Sequence, residues 1–217
     1  LSDIGITEPY KESRVLYNNY LFSDPSFLNN VYIYVVPRFD QKFSTTQKFY
    51  FIPPSQKSLI KREIDKYKSI SAEIVFMDPV YMAFDLALNS SGESPNIEDI
   101  EDTKIYVVRD DLSKDKGYIK DKFVSVLIDY FKPSNFKLGQ EIELTDIKES
   151  ILNVVGIKRV YMENGSNRFN GLNVYIWNPI YKNDLTSSTQ NYQLQDFQYS
   201  FLWDSDALKN RIEVIDV

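Results

Sequence analysis

The sequence predicts an α+β fold built as α/β-type modules: two small mixed sheets, each packed with one or two helices, on a split βαβ or ferredoxin-like plan. Three observations predict it. Short runs of β-branched and aromatic residues recur along the chain, bounded by proline or glycine. Two helical repeats of apolar residues stand between those runs. The chain has 217 residues, enough for a domain that buries roughly 70% of its unfolded surface.

The elements follow in order. Residues 1–27 carry no clear periodicity. "VYIYVVP" (Val31 to Pro37) reads as a strand ended by proline. "PPSQKSLIKREIDKYKSI" opens a helix, with Ser55 as N-cap after two prolines. Leu59, Ile60, Ile64 and Tyr67 share one face of it, and Lys57, Lys61, Arg62, Asp65 and Lys66 cover the other. "AEIVFMDPVYMAFDLAL" gives strands on both sides of Pro79, where the ladder must break. Strand, helix and strand in this order form a βαβ-type unit. Residues 89–103 are polar, contain Gly92 and Pro95, and read as an exposed loop. "KIYVVRD" is a strand or the lead into the next helix. That helix, "GYIKDKFVSVLIDYFKP", repeats Ile119, Phe123, Leu127 and Phe131 at i+4, widened by Val124 and Ile128, and Pro133 stops it.

After a turn at Gly139, Thr145 is placed to cap a short helix, with Asp146 and Glu149 in its first turn and Ile147, Ile151 and Leu152 inward. Gly156 is the expected left-handed stop. "IKRVYME" is a strand, Asn164-Gly165 a turn, and "LNVYIWNP" a strand paired hairpin-fashion with it. The domains predicted are therefore 1–78, a βαβ-type module with an irregular lead-in; 79–179, a second α+β module; and 180–217, an aromatic tail.

Composition removes much chemistry. The chain holds no Cys and no His. Disulfides, thiolate metal sites and every Ser-His, Cys-His or His-zinc arrangement within the chain are excluded. A net charge of -6 argues against nucleic acid as a partner. No apolar run approaches ~20 residues, so no membrane span is expected. Leu1 is not an initiator Met and no signal-peptide pattern follows it, so the chain reads as a fragment or a processed product. Sixteen Tyr, 14 Phe and 2 Trp fit both a β-rich core and aromatic-anchored protein contacts.

The remaining candidates for chemistry are thin. Gly156 follows a helix, whereas phosphate loops place several glycines before one. Paired acids at Asp110-Asp111, Asp204/Asp206 and Glu98 to Asp102 lie in predicted loops without calcium-loop spacing, and read as solvated charge. Ser55/Lys57 and Ser113/Lys114 are the candidate nucleophile–base neighbours, and both look like caps and exposed charges. The "NSS" and "NGS" sequons have no secretion signal to support their use. The basic face of the 55–68 helix reads as a solvated patch. No catalytic residue, cofactor or metal ligand is expected.

"VYIYVVP", a helix, and "YKSISAEIVFMDPVYMAFDLAL" together resemble the baseplate J-like family of contractile-tail phages. There a βα unit leads into a strand pair at a "D-P" step, here Asp78-Pro79. "YIKDKFVSVLIDYFKPSNFKLGQEIELTDIKESILNVVGIKRVYM" extends the likeness through a helix, a turn, a short helix and a V-x-G-V-x-x-V-type segment, here Val154, Val155, Gly156, Ile157, Lys158, Arg159 and Val160. The likeness spans residues 28–178 and rests on packing motifs. It implies a structural, non-enzymatic protein of the virion tail, assembled in the host cytoplasm. Its copies would pair and close a ring around the central hub, with other baseplate wedge proteins as partners. The alternative is a ligand- or carbohydrate-binding module of a phage tail that uses exposed aromatics. The tail carries Tyr192, Phe197, Tyr199, Phe201 and Trp203 without a pattern that buries them, so these five are the expected interface residues.

Overall fold

The computed structural model describes residues 30–36, 51–67, 73–90, 94–110, 113–132, 134–180 and 183–216. The expectations for residues 1–27, Pro37, Gly92, Asp111 and Pro133 lie outside them. The class is α+β: ten strands and five helices among the described residues. These divide into two compact units, one holding residues 30–36 and 51–80, the other residues 81–216.

The first unit is a βαβ turn of chain. Strand β1 (Asn30–Tyr34) lies parallel to β2 (Glu73–Met77), in the register Tyr32↔Val75, with helix α1 (Pro54–Ile64) between them in sequence. Ser55 does not cap α1. The helix begins one residue earlier, behind Pro53, without a side-chain cap, because proline fixes φ for a first helical turn and has no N–H to satisfy. Lys57 Nζ donates to Asp78 Oδ1 at 2.5 Å and ties the helix to the Asp78-Pro79 step. The apolar face is not buried: no residue of α1 is buried, and Leu59 and Tyr67 stand 53% and 87% exposed.

The second unit holds two four-stranded sheets. One has the order β8-β7-β3-β9, from Asn183–Ser188, Val174–Asn178, Val80–Leu86 and Gln198–Leu202. The other has the order β10-β4-β5-β6, from Ile212–Asp216, Lys104–Arg109, Ile157–Asn164 and Asn167–Phe169. The second is mixed: β10 runs parallel to β4, while β4–β5 and β5–β6 are antiparallel. Its inner face is covered by α3 (Lys116–Tyr130), which buries Ile119, Phe123, Val124 and Leu127; by α4 (Leu144–Leu152), which buries Leu144, Ile147 and Ile151; and by α5 (Ser205–Arg211), which buries Leu208. Asp115 caps α3 by accepting from the N–H groups of Gly117 and Tyr118, and Asp204 caps α5 by accepting from Asp206 and Ala207.

Thr145 is not the cap of α4. The helix starts at Leu144, with Glu143 before it making no side-chain cap bond; the Glu143 N–H donates to the Tyr130 hydroxyl at 2.8 Å instead. Gly156 has the expected positive φ, +95°, but is not the helix stop: α4 ends at Leu152 with Asn153 as its right-handed cap, and Gly156 turns the chain into β5. There a β-carbon would be strained. The hairpin is shorter than predicted. β5 turns at Gly165-Ser166 onto β6, and the 174–178 strand leaves for the other sheet, pairing with β3 and β8.

The largest correction concerns residues 180–217. They are no separate tail but contribute β8, β9, α5 and β10, edge strands of both sheets. Tyr199 and Phe201 are 1% and 0% exposed. Tyr199 meets Tyr81 and Phe136 edge-on, its hydroxyl donating to the Phe131 carbonyl at 2.9 Å; Phe201 also meets Tyr81 edge-on. The sequence shows no period here because "QYSFL" is buried along its whole length from Tyr199; an edge strand covered on both faces does not alternate.

Candidate functional site

Three clusters in the second unit concentrate polar groups, and two of them are framework. The first centres on Asp99, one of the acids read as solvated. It begins a four-residue helix, α2 (Asp99–Asp102), and is buried. One carboxylate oxygen accepts from the Tyr175 hydroxyl at 2.8 Å and from the Asn96 N–H at 2.8 Å; the other accepts from the Asn164 side-chain amide at 3.3 Å. Asn164 lies in β5 and Tyr175 in β7, so one carboxylate ties both sheets to the 89–103 loop. Burial, then the bond to Asp99, pushes the Tyr175 phenol above its ordinary range. The Asn164 amide also donates to the Leu88 carbonyl at 2.7 Å. Its sequon nitrogen is thus part of the core rather than an acceptor for sugar.

The second is a buried ion pair. Asp85 of β3 is 0% exposed and takes a 2.5 Å bond from Arg211 at the end of α5, which also donates to the Leu86 carbonyl at 2.8 Å. Burial raises the Asp85 carboxyl above its ordinary value, with Arg211 opposing that shift. The Asp85 Oδ2 and the Arg211 Nε make no hydrogen bond. Neither cluster has the shape of a reaction centre. Asp99 is saturated with donors, and the Asp85 carboxylate is fully buried.

The third cluster is partly exposed: Lys104 and Arg168 stand in solvent and Tyr106 and Glu163 are half-buried, while Tyr161 and Val108 are buried. Residues opposite one another in a ladder share a sheet face, and the register Lys104↔Glu163, Tyr106↔Tyr161, Val108↔Arg159 defines the outer face of β4 and β5, the one opposite the helices. Tyr106 and Tyr161 stack there with centroids 4.9 Å apart and planes 15° apart. The Arg168 guanidinium from β6 lies 4.0 Å over the Tyr161 ring, and Arg168 pairs with Glu163 at 3.4 Å. On the other flank Lys104 pairs with Glu213 of β10 at 2.9 Å. The result is a band of two tyrosines between two charge pairs. Partial desolvation, then the Glu213 charge, raises the Tyr106 phenol, so its hydroxyl is neutral at neutral pH.

No protein-family model matches the chain, and no curated protein sequence does. Among the described residues no group of three or more His, Cys, Asp or Glu could hold a metal ion, and no helix is long and apolar enough to cross a membrane. The five predicted interface residues scatter. Tyr199 and Phe201 belong to the core. Phe197 and Trp203 are half-buried, Trp203 packing edge-on against Trp177 at 5.4 Å. Tyr192 is half-buried in an isolated bridge with Ile142. Sequence reasoning missed Tyr106, Tyr161 and Arg168, although period-two alternation at the start of "KIYVVR" carried a signal: Ile105 and Val107 fall inside, Lys104 and Tyr106 outside.

Proposed function

We propose that this chain is a structural component of a contractile phage-tail baseplate: the C-terminal portion of a T-even-type wedge protein. It self-associates and joins other wedge subunits into a ring around the hub of the virion tail. The observation that carries the reading is that the stretches behind the family resemblance form the elements it calls for. β1 (Asn30–Tyr34) and β2 (Glu73–Met77) pair in parallel as a βαβ unit, the chain breaks at Asp78-Pro79, and a helix–glycine–strand unit turns at Gly156. The use of polar groups agrees with a scaffold. The buried carboxylates Asp85 and Asp99 and the amides Asn164 and Asn173 all bond to the chain itself.

The alternative, a ligand- or carbohydrate-binding module, draws on the stacked Tyr106 and Tyr161 beside Glu213 and Glu163. Sugars are held on ring faces left free in a concave site. Here the rings face each other and Arg168 covers one, which favours protein contact. The deciding experiment mixes the chain with wedge subunits of a contractile tail and sizes the products. A stable co-complex is the expected result. A chain that ignores every wedge subunit but is retained by an immobilised oligosaccharide would establish the alternative.

A further inference from the structure

We infer that the outer face of the β10-β4-β5-β6 sheet is where a second copy of this chain docks, about a two-fold axis running along the seam between β4 and β5. The inference rests on the self-association proposed above and names its surface. Register and charge carry it. A two-fold along that seam lays β4 of one copy over β5 of the other at the same level. Residues that are cross-strand partners within a copy then meet between copies. Since Lys104 is the partner of Glu163 and Tyr106 of Tyr161, Lys104 of each copy comes over Glu163 of the other, and Tyr106 over the Arg168 guanidinium that covers the other's buried Tyr161. The same rotation lays β10 over β6, bringing Glu213, which is level with Tyr106, within one side-chain row of Arg168, which is level with Glu163. Glu163 and Glu213 thus each meet a base. An isologous interface needs a surface complementary to itself, and this band of opposite charges around a tyrosine pair is one. The Arg and Tyr anchors are of the kind that dominate interfaces.

Three strands of at least five residues and the three-residue β6, at ~4.8 Å spacing and ~3.4 Å rise, give a face of at most roughly 19 by 17 Å. That is small for a permanent contact and within the range of transient ones. A small contact of this kind gains strength when many copies close a ring, because the second contact is then intramolecular.

The test uses two charge reversals on exposed side chains of the full chain, Lys104→Glu and Glu163→Lys, with sedimentation equilibrium as the readout and circular dichroism as a check on folding. Each variant alone places like charges in both symmetry-related contacts and is expected to weaken self-association at least about tenfold. An equimolar mixture of the two restores it, because in the mixed dimer the two introduced charges face each other and the two original charges face each other, so both contacts again join an acid to a base. Wild-type protein that dimerises while both variants dimerise equally well would move the interface elsewhere and leave self-association standing. Variants that weaken dimerisation without rescue in the mixture would reject the seam axis. Wild-type protein that stays monomeric at high concentration would overturn both this inference and the self-association behind it.

Discussion

Asp99 and its neighbours Glu101 and Asp102 look alike in the sequence, yet the structure separates them sharply. Asp99 satisfies a buried phenol, an amide and a backbone N–H; Glu101 and Asp102 stand in solvent. Removing an acceptor strands buried donors at about 1–3 kcal/mol, so Asp99→Ala should destabilise the second unit by about 3 kcal/mol, while Glu101→Ala stays within ~0.5 kcal/mol. Chemical denaturation of both variants checks the contrast. Arg211 is the other sensitive residue. Without it Asp85 becomes an uncompensated buried charge, and losing one partner of such a pair costs about 3–5 kcal/mol. The pH dependence has a definite sign. The folded Asp85 carboxyl titrates above its ordinary value. Stability from its protonated form is therefore complete below the unfolded value and is lost as pH rises through the folded one. Arg211→Met removes the charge that opposes this rise. Its deficit relative to wild type should be large near neutrality and shrink as the pH drops towards about 4. A deficit independent of pH would contradict this account of the pair.

At the scale of elements, the segment read as an interface tail is structural. Deleting residues 185–217 removes β9, α5, β10 and most of β8, together with the buried Tyr199, Phe201, Leu208, Ile212 and Val214. Burying one such side chain is worth about 1.5–3 kcal/mol, so the loss rivals or exceeds the whole stability of an ordinary domain, about 5–15 kcal/mol. The truncated chain should fail to fold, seen as loss of the cooperative thermal transition; a truncated chain that melts normally would return the tail to the surface. Most elements are legible where a single period governs them. The i+4 row from Ile119 to Phe131 marks α3, and β-branched runs broken by Pro79 mark β2 and β3. What is not legible depends on distant chain. The burial of β9 arises from contacts with Tyr81, Phe131 and Phe136, far away in sequence. The pairing of the 174–178 strand with β3 instead of β5 is a long-range choice that no local pattern encodes. The exposed face of α1 repeats the lesson in reverse, since its apolar repeat makes the helix predictable but does not bury it. The band of Tyr106, Tyr161 and Arg168 needs the register of β4, β5 and β6, which places residues of three strands side by side.

At the scale of the whole molecule, the buried side chains of Asp99, Asn164 and Asn173 are bonded to the chain itself, and the face inferred above carries the charge pairs Lys104–Glu213 and Arg168–Glu163. The two four-stranded sheets are tied to each other through Asp99, Asn164 and Tyr175. On the reading proposed above, such a protein acts through its surfaces, and its partners are further copies of itself and the subunits beside them. That self-association is tested most directly by the mass of the chain in solution, measured by light scattering across a concentration series at moderate salt. The expected result is a reversible rise towards twice the monomer mass, weakened by added salt because charge pairs border the face. A single monomeric mass at every concentration and every ionic strength would contradict it.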